Sequence, residues 1–348
     1  QLGLGRTLLF RSINMFLVLF STILITVILL GPTLDKLLVD AIRNQVIDEV
    51  NQGILKFQNP DERSAYINNQ IQFRSKTLGL DQDSFNPQKV VHRVVSVMTL
   101  DLGKSHFFTS VYGSSNVRDI IVEKVPKTLL LFTTATILVT IIGIFLGTYV
   151  AGKEGSWWDK FNSIIAIFSN SFPTWWVAMI MILVFAFTLH IFPARATPLS
   201  SPSDANYIFD LLYHMTLPLI TLVIVSFGSW SYIVRYFLIN ILNEDFIYAK
   251  RTMGISRRKI LYSHALRNAG PPVATAVGLS LASSFGGSII TEAVFDWPGM
   301  GKLFYDAIGL LDIPIIIGLT YIGTLIFLVT IFITDIAYTL LDPRVKGS

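Results

Sequence analysis

Long apolar runs separated by short polar stretches dominate the chain. Each run is close to or above the roughly 20 residues that a helix needs to cross a bilayer. The runs lie at about residues 12–30, 127–150, 163–189, 214–239, 272–293 and 313–338. This pattern predicts an all-α polytopic membrane protein with six transmembrane helices.

The charges that flank the first run indicate its orientation. Arg6 and Arg11 precede it, and basic residues favour the cytoplasmic side, so we expect the N-terminus inside. The run is longer than the apolar core of a signal peptide, and Gly31-Pro32 follows it without a small-residue cleavage site, so we expect it to be retained. With six spans the C-terminus is also inside.

Residues 32–125 differ from the rest because they are charged and of mixed composition. Asn59-Pro60 and Asn86-Pro87 are typical of helix N-termini, and Asn116 is expected to begin a further helix that Pro126 ends. Two apolar stripes recur at helical spacing: Leu34, Leu37, Leu38, Ala41, Ile42, Val46 and Val50, and then Val90, Val91, Val94, Val95 and Met98. These signals predict a small, mostly helical extracytoplasmic domain between the first two spans.

The expected organisation therefore has three parts. Residues 1–31 hold the N-terminal segment and transmembrane helix 1, residues 32–125 form the outer helical domain, and residues 126–348 hold transmembrane helices 2–6. Within the third part, residues 243–272 are unusually polar and basic.

We expect residues 243–272 to form two short helices joined at Gly254, where a left-handed helix end is easiest for glycine. Asn243 is expected to cap the first helix and Ser256 the second, and Pro271-Pro272 to end the second. Two sets of apolar residues share helical faces: Phe246, Ala249 and Met253, and then Ile260, Leu261 and Ala265. A helix–glycine–helix platform between membrane spans is typical of a docking surface rather than a catalytic pocket.

This segment resembles the cytoplasmic EAA loop of ABC-transporter permeases, in the dipeptide/oligopeptide/nickel branch. The matching residues are Asp245, Tyr248, Ala249, Lys250, Gly254, Ser256, Arg257, His264, Leu266, Arg267, Asn268 and Pro272. Thr252-Met253 and Gly270 depart from the family pattern. Further family-like segments are Leu78–Asp81, Asp101–Ser105, Glu292–Gly301, Asp312–Pro314 and Leu341–Arg344.

The resemblance implies that residues 243–272 dock on an ATP-hydrolysing subunit and pass its motion to the membrane helices. The residues assigned to docking are Asp245, Tyr248, Ala249, Lys250, Met253, Gly254, Ile255, Ser256, Arg257 and Arg258. It also implies a second homologous permease subunit, two ATP-binding subunits and an extracellular substrate-binding protein, in a prokaryotic plasma membrane. ATP and Mg²⁺ would then bind the partners, and no cofactor would bind this chain. Residues 32–125 would either pack as a cap or contact the binding protein.

The fifth run is rich in small residues, which permit tight helix packing in a bilayer, and we expect its face to border the solute pathway. The pathway and gate candidates are Ser280, Ser283, Ser284, Gly287, Glu292, Phe295, Pro298 and Gly299. A tight turn is expected at Pro298-Gly299. Gly143-x-x-x-Gly147 indicates close helix packing. Pro173 is expected to kink the third run, either as a moving joint or as a tolerated proline beside interfacial aromatics.

Charged groups within the spans are few, and we expect Arg235 and Asp335 to pair or to reach the interface, in structural roles. His264 is expected to be a hydrogen-bonding group and not a metal ligand. Peptides are the solute that the resemblance implies, with oligosaccharides or nickel chelates as alternatives.

Composition and motifs exclude several other functions. Of the 348 residues, 52% are hydrophobic and 14% charged, the net charge is +4, and the chain has no cysteine for a disulfide or a thiol nucleophile. Gly103-Lys104-Ser105 fails as a phosphate-binding loop because Met98 replaces the required glycine. Metalloprotease and hydrolase motifs are missing, and the basic residues are not interleaved with aromatics as in nucleic-acid binding. An ion-coupled carrier, an intramembrane enzyme and a membrane anchor remain as alternatives, although paired carboxylates for the first two are lacking.

Overall fold

The computed structural model describes residues 4–51, 59–77, 80 and 84–341. It forms two compact units. The larger one contains Val122–Asp306 and the described part of Ile326–Ser348, and the smaller one contains the described part of Leu2–Ile121 and Ala307–Leu325. Of the family-like segments, Leu78–Asp81 and Leu341–Arg344 lie mostly outside the described residues, as does the side chain of Asp335.

The described chain is helical apart from loops and one isolated bridge between Lys104 and Asn116. In order, the helices are α1 Leu4–Asn51, α2 Pro60–Thr77, α3 Pro87–Met98, α4 Val117–Ala151, α5 Trp157–Ser171, α6 Thr174–Met181, α7 Tyr207–Leu242, α8 Asp245–Thr252, α9 Arg257–Lys259, α10 Leu266–Ser284, α11 Ile289–Phe295, α12 Met300–Leu310 and α13 Ile313–Leu341. Wider π-helical turns follow α6 at Ile182–Thr188 and α9 at Ile260–Ala265.

Four helices, namely α1, α4, α7 and α13, are long and apolar enough to cross a membrane. Two further pairs of helices qualify only if each bent pair is taken as one span. These are α5 with α6 and its π-helical turn, bent by 98°, and the helix Arg257–Ser284 with α11, bent by 62°. By length and composition the described residues thus hold four to six candidate spans.

The first bend confirms the kink expected at Pro173, and the second corrects the expectation of one continuous helix at 272–293. In the first, Phe172 is extended, because a following proline disfavours the helical region, and Pro173 is the extended N-cap of α6. In the second, the chain turns at Gly287, whose φ of +63° favours glycine. Ser288 caps α11 by accepting a hydrogen bond from the backbone N–H of Thr291.

Several local predictions about the smaller unit are confirmed. Pro60 and Pro87 stand at the first positions of α2 and α3, and Asn86 caps α3 by accepting a hydrogen bond of 2.9 Å from Gln88 N–H.

The expected end of a helix at Pro126 is wrong, because α4 runs from Val117 through this proline to Ala151. A proline inside a helix is tolerated where tertiary packing outweighs the lost backbone hydrogen bond.

The valine stripe of α3 is narrower than predicted. Val90, Val94 and Val97 are buried, whereas Val91 and Val95 are more than half exposed. The buried set repeats at four and three residues, which places it on one face of the helix.

Two buried carboxylates organise the smaller unit. Asp35 on α1 accepts hydrogen bonds from Ser84 Oγ at 2.6 Å, from Lys89 Nζ at 2.8 Å and from the guanidinium of Arg93. Asp312, just before α13, accepts a bond of 2.6 Å from Ser105 Oγ and further bonds from backbone N–H groups of the same loop. The family-like segments 101–105 and 312–314 therefore meet.

In the larger unit, α4 and α7 approach closely at two glycines. A Cβ on Gly143 would lie 2.6 Å from Cβ of Trp230, and one on Gly147 would lie 2.5 Å from the carbonyl oxygen of Ser231. Since only glycine fits at such distances, the Gly143-x-x-x-Gly147 spacing serves helix packing here.

Candidate functional site

The structure confirms the glycine joint at the centre of residues 243–272. Gly254 has a φ of +76°, the left-handed conformation that glycine adopts most easily. Its N–H donates to Arg251 O at 3.0 Å and the next N–H, of Ile255, donates to Lys250 O at 3.2 Å. These two bonds form a Schellman motif, which satisfies the last carbonyls of α8.

The caps around this joint differ from the prediction. Asn243 is the C-cap of α7, directly after Leu242, and not the cap of α8; its N–H donates a hydrogen bond of 3.2 Å to Ile239 O. Glu244 takes the cap position of α8 and Ser256 that of α9, but neither side chain makes a capping hydrogen bond.

Pro271 and Pro272 do not end the second helix. They lie inside α10, which continues to Ser284. Prolines within membrane helices are tolerated because neighbouring helices and local adjustments of the backbone satisfy the freed groups. The platform is therefore continuous with the fifth apolar run, which makes it part of one long helical element.

One side of the platform is anchored in the larger unit. Ile247 of α8 is fully buried, and the apolar face of Ile260, Leu261 and Ala265 after the joint is buried as well. Ala265 belongs to a core cluster that includes Ala151 of α4 and several residues of α7. Phe246, Ala249 and Met253, which share the other face of α8, are exposed.

The opposite side is open. Tyr248 is 70% exposed and Met253 is 74% exposed. All ten docking candidates are exposed or half-buried, and Arg251 and Lys259 beside them are exposed too. Large apolar and aromatic side chains among cationic ones are typical of the core of a protein–protein interface, where Tyr, Met and Arg are enriched.

His264 links the two parts of the platform, as expected of a hydrogen-bonding group. Its Nδ1 lies 3.2 Å from Nζ of Lys250 on α8. Among the described residues, no three His, Cys, Asp or Glu side chains come together as a metal site would require.

The pathway candidates separate into two places. Ser280, Ser283 and Ser284 line a cavity of about 280 Å³ between α4, α7 and α10. Its other lining residues are Phe132, Ala135, Thr136, Val139, Leu222, Ser226 and Trp230. The wall thus combines hydroxyl groups with two aromatic rings, and these lining residues carry no charge.

The other five candidates form a buried joint before α12. Glu292 is fully buried. It accepts hydrogen bonds from Thr128 Oγ1 at 2.9 Å and from the N–H groups of Gly301 at 2.8 Å and Lys302 at 3.2 Å. A carboxylate here satisfies the free N–H groups at the start of α12 and is favoured by the helix dipole.

Glycine is required at two positions around that carboxylate. A Cβ on Gly299 would collide with the Glu292 carboxylate and the Thr128 hydroxyl, and one on Gly287 would lie 2.5 Å from Cγ2 of Thr128. Phe295 is buried in the core beside Trp297, and Pro298 is half-buried. The expected turn is present, with Gly299 N–H donating to Trp297 O at 2.7 Å. No sequence motif marked Thr128, because its role depends on a hydrogen bond to a residue 164 positions away.

Sequence reasoning also missed the partner of Arg235. Its guanidinium forms a two-point ion pair with Asp159, in which Nη2 lies 2.8 Å from Oδ2 and Nε donates to Oδ1. Beside it, Ser231 Oγ donates a hydrogen bond of 2.7 Å to Asn162 Oδ1. Both contacts join α5 to α7.

Comparison with known proteins gives consistent matches. Residues 143–347 match the family described as binding-protein-dependent transport system inner membrane component. The oligopeptide transport system permease protein AppB of Bacillus subtilis (strain 168) is 33% identical over 241 residues, covering 68% of this chain and 76% of that protein. The dipeptide transport system permease protein DppB of Escherichia coli (strain K12) is 30% identical over 290 residues, covering 77% of this chain and 83% of that protein.

Among solved structures, a chain of the MetNI methionine ABC transporter in an inward-facing conformation aligns with a TM-score of 0.49 and 18% identity. The alignment covers 64% of this chain and 96% of the transporter chain.

Proposed function

Because this chain belongs to the family of inner membrane components of binding-protein-dependent transport systems, we propose that it is one permease subunit of an ATP-driven importer of peptides. Peptide cargo is supported by the relatives, which are named as oligopeptide and dipeptide permeases; oligosaccharides and nickel chelates remain as alternatives. Bacterial relatives also support a multi-pass location in a prokaryotic plasma membrane.

The observation that carries the proposal is the two-sided platform at residues 243–272. Its buried side is held by Ile247, Ile260 and Ala265, while Tyr248 and Met253 project from its exposed side. A surface of this kind transmits force only if something binds it. An ATP-binding subunit is the partner that the family implies.

The remaining partners follow from the same proposal. The complex would contain a second homologous permease subunit, two ATP-binding subunits and an extracellular substrate-binding protein. ATP and Mg²⁺ would bind the ATP-binding subunits, and this chain would catalyse no reaction. Movement of the platform would switch the helices around the serine-lined cavity between inward-open and outward-open states.

The proposed topology has six spans with both termini in the cytoplasm, and each bent pair counts as one span. This arrangement puts residues 243–272 on the same side as the N-terminus, in agreement with their excess of Lys and Arg. The segment between α1 and α4 would then lie outside, as a cap or as a contact for the binding protein.

Reconstitution tests the proposal. Proteoliposomes that hold the two permease subunits and the two ATP-binding subunits should take up peptide when ATP is inside and the binding protein outside. Omission of ATP or of the binding protein should abolish uptake. Uptake driven by an ion gradient without ATP-binding subunits would instead identify an ion-coupled carrier, and would refute the importer assignment.

A further inference from the structure

The Asp159–Arg235 ion pair lies where the platform is joined to two membrane helices. Asp159 is in the first turn of α5 and is almost fully buried, and Arg235 is on α7 and about four-fifths buried. The carboxylate also accepts a hydrogen bond of 2.9 Å from Gly155 N–H in the connection between α4 and α5. One side chain therefore fixes three pieces of the chain.

On one side, Arg235 leads directly into the first helix of the platform. Leu242 lies seven positions further along the continuous helix α7, or about 10 Å at 1.5 Å per residue. Only Asn243 and Glu244 then precede α8. A shift of α8 is thus passed to Arg235 through a short, rigid helix.

On the other side, the second part of the platform touches the connection that Asp159 holds. A Cβ on Gly152 would lie 2.7 Å from Cδ2 of Leu261. Ala151, immediately before it, shares a buried cluster with Ala265 and Ala269 and with Leu238 of α7. Movement of the π-helical turn therefore also reaches the α4–α5 connection.

The two parts of the platform therefore connect to the same ion pair. The first part reaches Arg235 through α7, and the second reaches Asp159 through the α4–α5 connection. Stability alone is a weak reason for such a pair, because apolar residues of similar volume often replace a buried ion pair without loss. A two-point guanidinium–carboxylate contact does, however, impose one relative orientation on the elements that it joins.

We propose that Asp159 and Arg235 are positioning residues that make α5 move together with α7 when the platform is displaced. The inference rests on the proposed transport function and adds the element that the platform drives. In the absence of the pair, the platform still binds its ATP-binding subunit, but ATP hydrolysis is less tightly linked to movement of the pathway helices.

The test compares variants of the complete importer in proteoliposomes and measures peptide taken up per ATP hydrolysed. The key variant is the double substitution Asp159→Leu with Arg235→Met, which leaves no buried charge unpaired. We expect a roughly tenfold lower ratio, within the 5–150-fold span of typical coupling between sites, with unchanged recovery of ATP-binding subunits. The matched control is Lys160→Gln, an exposed charged residue next to Asp159 on α5, and it should behave as the unsubstituted protein.

A second comparison separates positioning from folding. The single variant Asp159→Arg places two cations together, and the exchanged pair Asp159→Arg with Arg235→Asp restores the attraction, so the exchange should recover much of the ratio. An unchanged ratio in the apolar double variant would overturn the proposal. The proposal would also be overturned if uptake fell only in proportion to the amount of assembled complex. It would equally be overturned if the exchanged pair assembled but did not restore the ratio of peptide taken up to ATP hydrolysed. Failure of the transport assignment itself would appear differently, as absent ATP-driven uptake by the unsubstituted complex.

Discussion

Substitution of Gly254 tests the glycine joint of the platform. The φ of +76° is left-handed, and no atom lies within 4 Å of the position that a Cβ would occupy. The penalty for a larger residue is therefore one of backbone conformation and not of space. A left-handed conformation costs an L-residue about 1–2 kcal/mol, which lowers the population of the native joint by a factor of roughly 5–30.

Replacement of Gly254 by Asn, Ala or Val distinguishes a penalty of backbone conformation from one of side-chain volume. Asparagine tolerates the left-handed region better than alanine, and a β-branched valine tolerates it least. We therefore expect recovery of the ATP-binding subunit and ATP-driven uptake to fall in the order Asn, Ala, Val. Side-chain volume would give a different order, with Ala above Asn.

A matched control lies in the same segment. Gly270 also has open space around its Cβ position, but it is in α10 without a positive φ. Alanine is favoured over glycine in a helix by about 1 kcal/mol, so Gly270→Ala should be neutral or stabilising. Co-purification of the ATP-binding subunit and peptide uptake are measured for both positions. Equal behaviour of Gly254→Val and the unsubstituted protein, or an order that follows side-chain volume, would refute the reasoning.

Further predictions concern the platform charges, the buried joint and the helix crossing. Reversal of Arg257 and Arg258 to Glu should reduce co-purification of the ATP-binding subunit at low salt without lowering thermal stability; unchanged recovery would show that these charges serve only solvation or topology. Glu292→Ala should lower the unfolding free energy by about 1–3 kcal/mol because buried N–H groups lose their acceptor, as measured by thermal unfolding in detergent, and an unshifted midpoint would contradict this role. Thr128→Val should be destabilising and Thr128→Ser nearly neutral in the same assay, since serine retains the hydroxyl group; equal effects would speak against the hydrogen bonds. Gly147→Leu should prevent close packing of α4 on α7 and abolish assembly, and a normally assembled variant would disprove the crossing.

Apolar periodicity predicted the elements whose packing is local. The periodic face of Ile260, Leu261 and Ala265 is buried, whereas the equally periodic face of Phe246, Ala249 and Met253 is exposed, because spacing identifies a face and tertiary packing decides its burial. Gly254 was predicted correctly because a glycine after a periodic run favours one particular helix end. The long apolar runs and the family-like motifs together indicated the class of protein.

Proline marked helix starts correctly at Pro60 and Pro87 but was unreliable as a sign of a helix end. It was expected to end helices at Pro126 and at Pro271-Pro272, yet α4 and α10 continue through these residues. In membrane helices the packing of neighbouring elements decides this outcome, and single-sequence reasoning contains no information about neighbours.

Contacts between residues far apart in the chain could not be predicted from the sequence either. Arg235 was singled out, but its partner Asp159 lies 76 residues away, in the first turn of α5. The serines at 280, 283 and 284 were predicted to line the pathway, and the structure places them at a cavity with residues of α4 and α7. Passage of solute through this cavity is a prediction.

The central claim is that residues 243–272 bind an ATP-binding subunit on the cytoplasmic side, and the lack of native cysteines makes a direct measurement possible. Single cysteines replace Met253 on the platform and Tyr112, which is 92% exposed in the segment between α1 and α4. In the assembled complex, a short bifunctional cross-linker should join Met253→Cys to the ATP-binding subunit, and an impermeant thiol reagent added outside intact cells should label only Tyr112→Cys. Outside labelling of Met253→Cys, or cross-linking of the ATP-binding subunit to Tyr112→Cys and not to Met253→Cys, would contradict the account.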